Sequence, residues 1–256
     1  MKLYNYLNES RTSSITEEQF ETLLEKNCND ILNKYKQGQD IILRGLKSNI
    51  EYGYVDPTSS TRTSRYATNN FYTILLDELL LSWKNYPLRS KSIICSNSDE
   101  KTYGYGKTYV VFPYNGSKIG VCPEDDIWYS FTDFFSDSLN ILNRFFEYVA
   151  QSKNIKYGND KNGLLKILSL LDEMKKNDES SSSITFAAYF YGPFLKSKHK
   201  SFLSFLDEQM NPSKNGFKHY TTNNYKLKSD SNEIWIEGEC LLLKEDTWDD
   251  IKGNYL

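Results

Sequence analysis

The chain holds only two histidines and four cysteines among its 256 residues, and no two cysteines stand in a Cys-x-x-Cys pair. That scarcity removes the common zinc and dithiol arrangements, which need clustered thiolates and imidazoles. A Ser–His–Asp or Cys–His hydrolase would need His199 or His219, and neither stands in a nucleophile motif; both read as surface residues. Asp125-Asp126 reads as a structural turn rather than a metal site. The apolar stretch Ile74 to Leu81 is broken by Asp77 and Glu78, far short of a membrane span. Met1 to Ser10 contains no apolar h-region, so the expectation is a chain with no secretory signal in a reducing, cytoplasmic setting. Basic residues are not in excess either. The 31 Lys and Arg against 34 Asp and Glu exclude a strongly basic chain of the kind that coats nucleic acid. The local cluster Lys196, Lys198, His199, Lys200 reads as a solvated loop.

What the chain does have is aromatic bulk. Aromatics make up 15% of it, with 20 Tyr and 14 Phe, enough to bury a sizeable core. Thr16 to Lys36 reads as one amphipathic helix, with Thr16 and Gln19 as a capping box and Gly38 as its stop. Asp40 to Leu46, Ser92 to Cys95, Tyr109 to Phe112 and Lys118 to Cys122 read as strands, the last two joined by a turn at Asn115-Gly116. Helical periodicity marks Asn70 to Trp83, Phe131 to Ala150, Gly163 to Met174 and Ser201 to Met210, with a Ser-rich linker at Glu179 to Ser183. Glu51 to Arg65 and Phe217 to Asp230 read as polar loops, and Glu233 to Leu243 as a last strand. Strands at both ends with helices between them predict a single α+β domain over residues 1–256, with a helical insertion at about 130–212.

Three short blocks follow one another at strand ends: Leu43-Arg44-Gly45-Leu46, then Ile94-Cys95-Ser96-Asn97-Ser98, then Glu237-Gly238-Glu239 running into Cys240-Leu241-Leu242-Leu243. Each alone is ordinary: an Arg-Gly after a strand, a serine turn, a solvated Glu-x-Glu. In this order they resemble the arginine–serine–glutamate class of mono-ADP-ribosyltransferases, which includes clostridial toxins and phage-encoded modifying enzymes. Asn97 stands where that class has Thr, and the helical segment lengthens the gap between the Ser and Glu blocks. The stretch Asn70 to Phe131 is also similar to one found in tailed-phage proteins.

The resemblance implies an ADP-ribosyltransferase-like core, a split pair of small β-sheets clasping NAD as co-substrate. It implies that Arg44 and Gly45 meet the NAD pyrophosphate, where a planar guanidinium forks onto phosphate oxygens. Ser96 would orient the catalytic glutamate and Ser98 would support the nicotinamide ribose. Glu239 would stabilise the oxocarbenium-like ribose, and Glu237, spaced by one residue so as to point the same way, would position the acceptor. Tyr103 and Tyr105 are candidates for stacking on a base or nicotinamide, with plain packing as the other reading. Phe217 to Asp230 stands where the class recognises its target, with Tyr220 and Tyr225 facing an acceptor.

The expected activity is transfer of ADP-ribose to a protein side chain, arginine being favoured by the Glu-x-Glu, or to an RNA or DNA base. A toxin or effector in phage–bacteria conflict, with a cognate antitoxin as a possible partner, would fit. The alternatives are a plain NAD glycohydrolase and a non-catalytic phage structural or interaction protein that keeps the fold. Gly106-Lys107-Thr108 is not a phosphate loop, because Lys101 stands where the first glycine belongs. Gly104-x-Gly106 is no dinucleotide fingerprint, because Tyr109 stands in place of the third glycine.

Overall fold

The computed structural model describes residues 12–59, 71–131, 134, 140–156, 158, 160–177, 185–227 and 231–255. Its strands are β1 (Ser13–Ser14), β2 (Leu43–Leu46), β3 (Tyr52–Val55), β4 (Ile93–Ser96), β5 (Lys107–Pro113), β6 (Lys118–Val121), β7 (Lys218–Thr221), β8 (Glu233–Glu237) and β9 (Cys240–Lys244). Its helices are α1 (Glu17–Asn27), α2 (Asn29–Lys36), α3 (Phe71–Ile74), α4 (Asp99–Tyr103), α5 (Asn140–Ser152), α6 (Lys161–Lys176), α7 (Thr185–Lys196), α8 (Phe202–Gln209) and α9 (Glu245–Tyr255). The architecture is mixed α and β with an antiparallel sheet. The chain divides into two compact units, residues 1–63, 85–126 and 216–256 in one, and 64–84 and 127–215 in the other.

The first unit carries the sheet, in the order β1-β3-β9-β5-β2-β4-β8-β6-β7. Every neighbouring pair is antiparallel. The ladder is uneven. β2 pairs with β5 over four residues, from Leu43↔Val110 to Leu46↔Lys107, but with β4 only at Leu43↔Ser96. The sheet is therefore continuous, where two separate small sheets were expected. Its halves meet at one residue pair, and β2 and β4 part beyond it.

The interior follows from the alternation of side chains. Phe20 of α1, Tyr35 of α2 and Trp248 of α9 all meet Phe112 of β5, with ring centroids 6.0, 6.0 and 5.3 Å apart. The Tyr35 hydroxyl donates to the Val111 carbonyl at 2.8 Å and accepts from the Ile42 N–H at 3.2 Å, fixing α2 to the strands that lead to the site. The capping box at Thr16 and Gln19 is present. The predicted single helix is two, because Cys28 closes α1 and opens α2. Its buried thiol donates to the Phe112 carbonyl.

β1, β3, β7, α4, α7 and α9 have no counterpart among the expected elements: β3 lies in the predicted loop after Glu51, β7 in the predicted loop before Asp230, and α7 within the segment expected as a helical insertion. Glu233 to Leu243 is two strands, not one: at Gly238, φ is +150°, and the chain crosses from β8 in one half of the sheet to β9 in the other. A Cβ there would lie 2.2 Å from the Ser117 hydroxyl, so both the dihedral and the space select glycine.

The second unit is helical and packed by aromatics. Phe202 of α8 meets Phe145 of α5 and Phe194 of α7 at 5.7 and 5.1 Å. Its residues include the predicted insertion together with α3, which continues into a π-helical turn at Leu75–Leu79. The Ser-rich linker Glu179 to Ser183 lies outside the described residues. Among the described residues no helix is long and apolar enough to cross a membrane.

Candidate active site

The Arg-Gly strand β2 and the Ser strand β4 are neighbours, and β8 flanks β4 on its other side. Strand register decides which residues can act together, since directly opposite side chains lie on one face roughly 5 Å apart. Ser96 is opposite Leu43 across one edge of β4 and opposite Glu233 across the other. Next to Leu43, Arg44 spans the gap where β2 and β4 part, its Nη1 donating to the Ile94 carbonyl. Ser96 and Glu233 share one face at this end of the sheet, and the half-buried Arg44, next to Leu43, lies at the same end with its side chain alternating to the other face.

The loop after Ser96 completes this end. The Ser98 N–H donates to Ser96 Oγ at 3.1 Å, and Ser98 stands at the start of α4. Gly45 packs beneath the far end of α4: a Cβ there would lie 2.2 Å from the Thr102 carbonyl oxygen and 2.8 Å from the Tyr105 Cβ. The glycine of the Arg-Gly block is there to let α4 close onto β2. Tyr103 and Tyr105 are held over this loop, 65% and 57% exposed, available to a ligand rather than spent on the core. Arg44, Gly45, Ser96, Ser98, Tyr103 and Tyr105 all belong to this one region of the first unit.

The Glu-x-Glu does not join them, and this corrects the expectation that Ser96 orients Glu239. Glu237 is opposite Lys118, four positions along β8 from Glu233, or about 13 Å at the rise of a strand. Its carboxylate accepts from the Leu88 N–H at 2.9 Å and from Lys118 Nζ at 3.3 Å. Glu239 lies past the turn at Gly238, so the pair does not share a strand or a direction. There the buried surroundings, and then the Glu239 carboxylate, push the Tyr54 phenol up to about 12.

Glu233 is the carboxylate that sequence reasoning missed. It is 8% exposed, and its Oε1 accepts from the Trp235 indole N–H at 2.6 Å and from Arg89 Nη1. Arg89, 4% exposed, also lies over the Trp235 ring with its guanidinium carbon 4.9 Å from the centroid. A signal was present: Glu233 opens the apolar run Ile234-Trp235-Ile236, as Glu239 opens Cys240-Leu241-Leu242-Leu243. Only the pairing separates the two. Asn97 and Asn232 tie the strand ends together, the Asn232 N–H donating to Asn97 Oδ1 at 2.7 Å, while Asn97 Nδ2 donates to Asp40 Oδ2 at 3.0 Å.

Other candidates resolve simply. Asp125 pairs with Lys101, and among the described residues no group of three or more His, Cys, Asp or Glu could hold a metal ion. His219 is exposed against Tyr86, as expected of a surface residue, but His199 is half-buried and bonds Glu208 at 2.5 Å. Tyr220 is half-buried and Tyr225 buried, their rings 6.0 Å apart edge to face, so Tyr225 belongs to the core rather than to an acceptor surface. Comparison with protein-family models, with curated proteins and with solved structures finds no match for this chain.

Proposed function

We propose that the protein is a mono-ADP-ribosyltransferase that uses NAD and whose working carboxylate is Glu233. The observation that supports this reading is the order β2-β4-β8, which brings an arginine, a serine block and a glutamate from distant parts of the chain to one end of the sheet. Arg44 supplies fixed positive charge for a pyrophosphate. In the reaction the bond from the ribose C1′ to the nicotinamide nitrogen breaks, the bonding pair leaves with neutral nicotinamide, and positive charge develops on the sugar. A carboxylate held rigidly beside that sugar stabilises the charge without having to reorganise, which is the part given to Glu233 with Ser96 as its neighbour. A nucleophile of the acceptor then bonds to C1′ and loses its proton. The acceptor class is a macromolecule, and a role in phage–bacteria conflict accords with the resemblance.

A structural part for Glu233 is the competing reading, favoured by its pairing with Arg89. The test is incubation of wild type, Glu233→Gln, Glu239→Gln and Ser96→Ala with labelled NAD and a bacterial lysate, with folding followed by circular dichroism. Transfer by wild type and Glu239→Gln, reduced about 10²-fold or more in Glu233→Gln, is the expected result. Ser96→Ala leaves the Arg89 pair intact and keeps the test readable if Glu233→Gln does not fold. Loss in Glu239→Gln alone would return the chemistry to the Glu-x-Glu. Absence of NAD consumption by folded wild type would remove the transferase reading.

A further inference from the structure

Next to the motif end of the sheet lies a cavity of about 750 Å³. That volume lies within the usual range for small-molecule sites. It opens between the end of β6, the edge strand β7 and the chain before β8, with Lys218, Tyr220, Lys226, Leu227, Val121 and Asn232 among its walls. Its chemistry is uneven in a useful way. Lys218 and Tyr220 are two apart on β7 and so face the same side. Both lysines are exposed, and among the described residues no carboxylate lines the cavity. Leu227, Val121 and the Tyr220 ring form the apolar part, and Tyr220 is oriented by its edge-to-face contact with Tyr225. Asn232 is a rigid floor, its side-chain amide donating to the Cys122 and Pro123 carbonyls at 2.8 and 3.3 Å.

We propose that this cavity binds a phosphate-bearing nucleotide, the phosphate on Lys218 and Lys226 and the base against Tyr220 and Leu227. Two lysines on the rim of a cavity with an aromatic and aliphatic wall match the two halves of a nucleotide. The site is separate from Glu233: odd and even residues of a strand face opposite sides, so Asn232 and Glu233 point apart. It is nevertheless connected to the serine block, because the Asn232 N–H is bonded to Asn97. The nucleotide could come from a free mononucleotide, from NAD or from a single-stranded nucleic acid. The proposal does not depend on the transfer reaction, since neither lysine belongs to the Arg44, Ser96 and Glu233 set.

The experiment is equilibrium binding of AMP, NAD, a short single-stranded oligonucleotide and adenosine to the full chain, wild type and Lys218→Glu/Lys226→Glu. Binding of at least one phosphate-bearing probe, with adenosine weaker and the double variant weakened at least tenfold, is expected; the probe bound best names the source. Failure of all three phosphate-bearing probes to bind overturns the proposal. So does binding that the double variant leaves unchanged. Release of nicotinamide from NAD by the same double variant, measured in parallel, separates failure of this site from failure of the transferase reading.

Discussion

Ser96 and Glu233 face each other across the β4–β8 ladder, both nearly buried, with Arg89 and Trp235 bonded to Oε1 of the carboxylate. A carboxylate in this setting is held by its neighbours, and removing one of them exposes how. Arg89→Met leaves Glu233 buried without its guanidinium, and a loss of about 3–5 kcal/mol in unfolding free energy is expected from denaturant titration. Adding Glu233→Met restores much of that loss, because a buried ion pair replaced by apolar groups of similar volume is close to neutral. A double variant as unstable as the sum of both single changes would show that the two side chains do not act as a pair.

Gly45 makes a sharper prediction. Its missing Cβ is what lets the end of α4 approach β2, with the Thr102 carbonyl oxygen 2.2 Å from where that atom would be. Gly45→Ala must push α4 outward, and overpacking of this kind costs about 1–3 kcal/mol. The expected outcome is a lower melting temperature together with weaker NAD use, since Ser98 and Tyr103 ride on the same loop. An unchanged melting temperature would mean that α4 is not packed on β2 in solution.

Tyr54 reports on Glu239. Its phenol is raised to about 12 first by burial and then by the carboxylate, so Glu239→Gln brings it down without returning it to the ordinary value near 10. The sign follows. A phenol whose folded value is raised contributes stability in full below pH ~10 and loses it as pH rises toward 12. Ultraviolet titration of tyrosine at high pH would show Tyr54, and with it Tyr114, moving earlier in the variant. If none moves, Glu239 is not beside Tyr54.

The strands bearing Arg44 and Ser96 were legible because each is an apolar run ended by its motif, and the capping box at Thr16 because its geometry is local. The Glu-x-Glu pattern points to Glu239, yet Glu233 also opens an apolar run, and the sequence does not say which run lies beside β4. That choice belongs to pairing between residues more than a hundred positions apart. Tyr52–Val55 is hidden for a related reason: its Tyr-Gly-Tyr-Val is short and next to a polar stretch, and becomes a strand by pairing with Cys240 to Leu243. Thr185–Lys196 contains Pro193, which argues against a helix on propensity alone. Packing overrides it, with Phe194 inside the aromatic cluster.

In the helical unit, that same α7 ends in a way that can be tested without any knowledge of function. Lys175 of α6 reaches its C-terminal end and donates to the carbonyls of Phe194, Ser197 and His199 at 2.6, 3.0 and 2.8 Å. Its ammonium also lies 4.2 Å from the centre of the Phe194 ring. Helix ends leave carbonyls without helical partners, and a cation there is favoured by the helix dipole. Burial holds the Lys175 ammonium below its ordinary value, and the nearby Asp172 carboxylate opposes that shift. Lys175→Met keeps the aliphatic stem but strips the hydrogen bonds to these three carbonyls from a part-buried site. A loss of about 1–3 kcal/mol is expected, read as earlier unfolding or as faster amide exchange within α7 compared with α6. Lys175→Arg, which retains donors and charge, should recover part of it. Equal exchange in α7 for wild type and Lys175→Met would mean that this end of the helix is held by its aromatic packing alone.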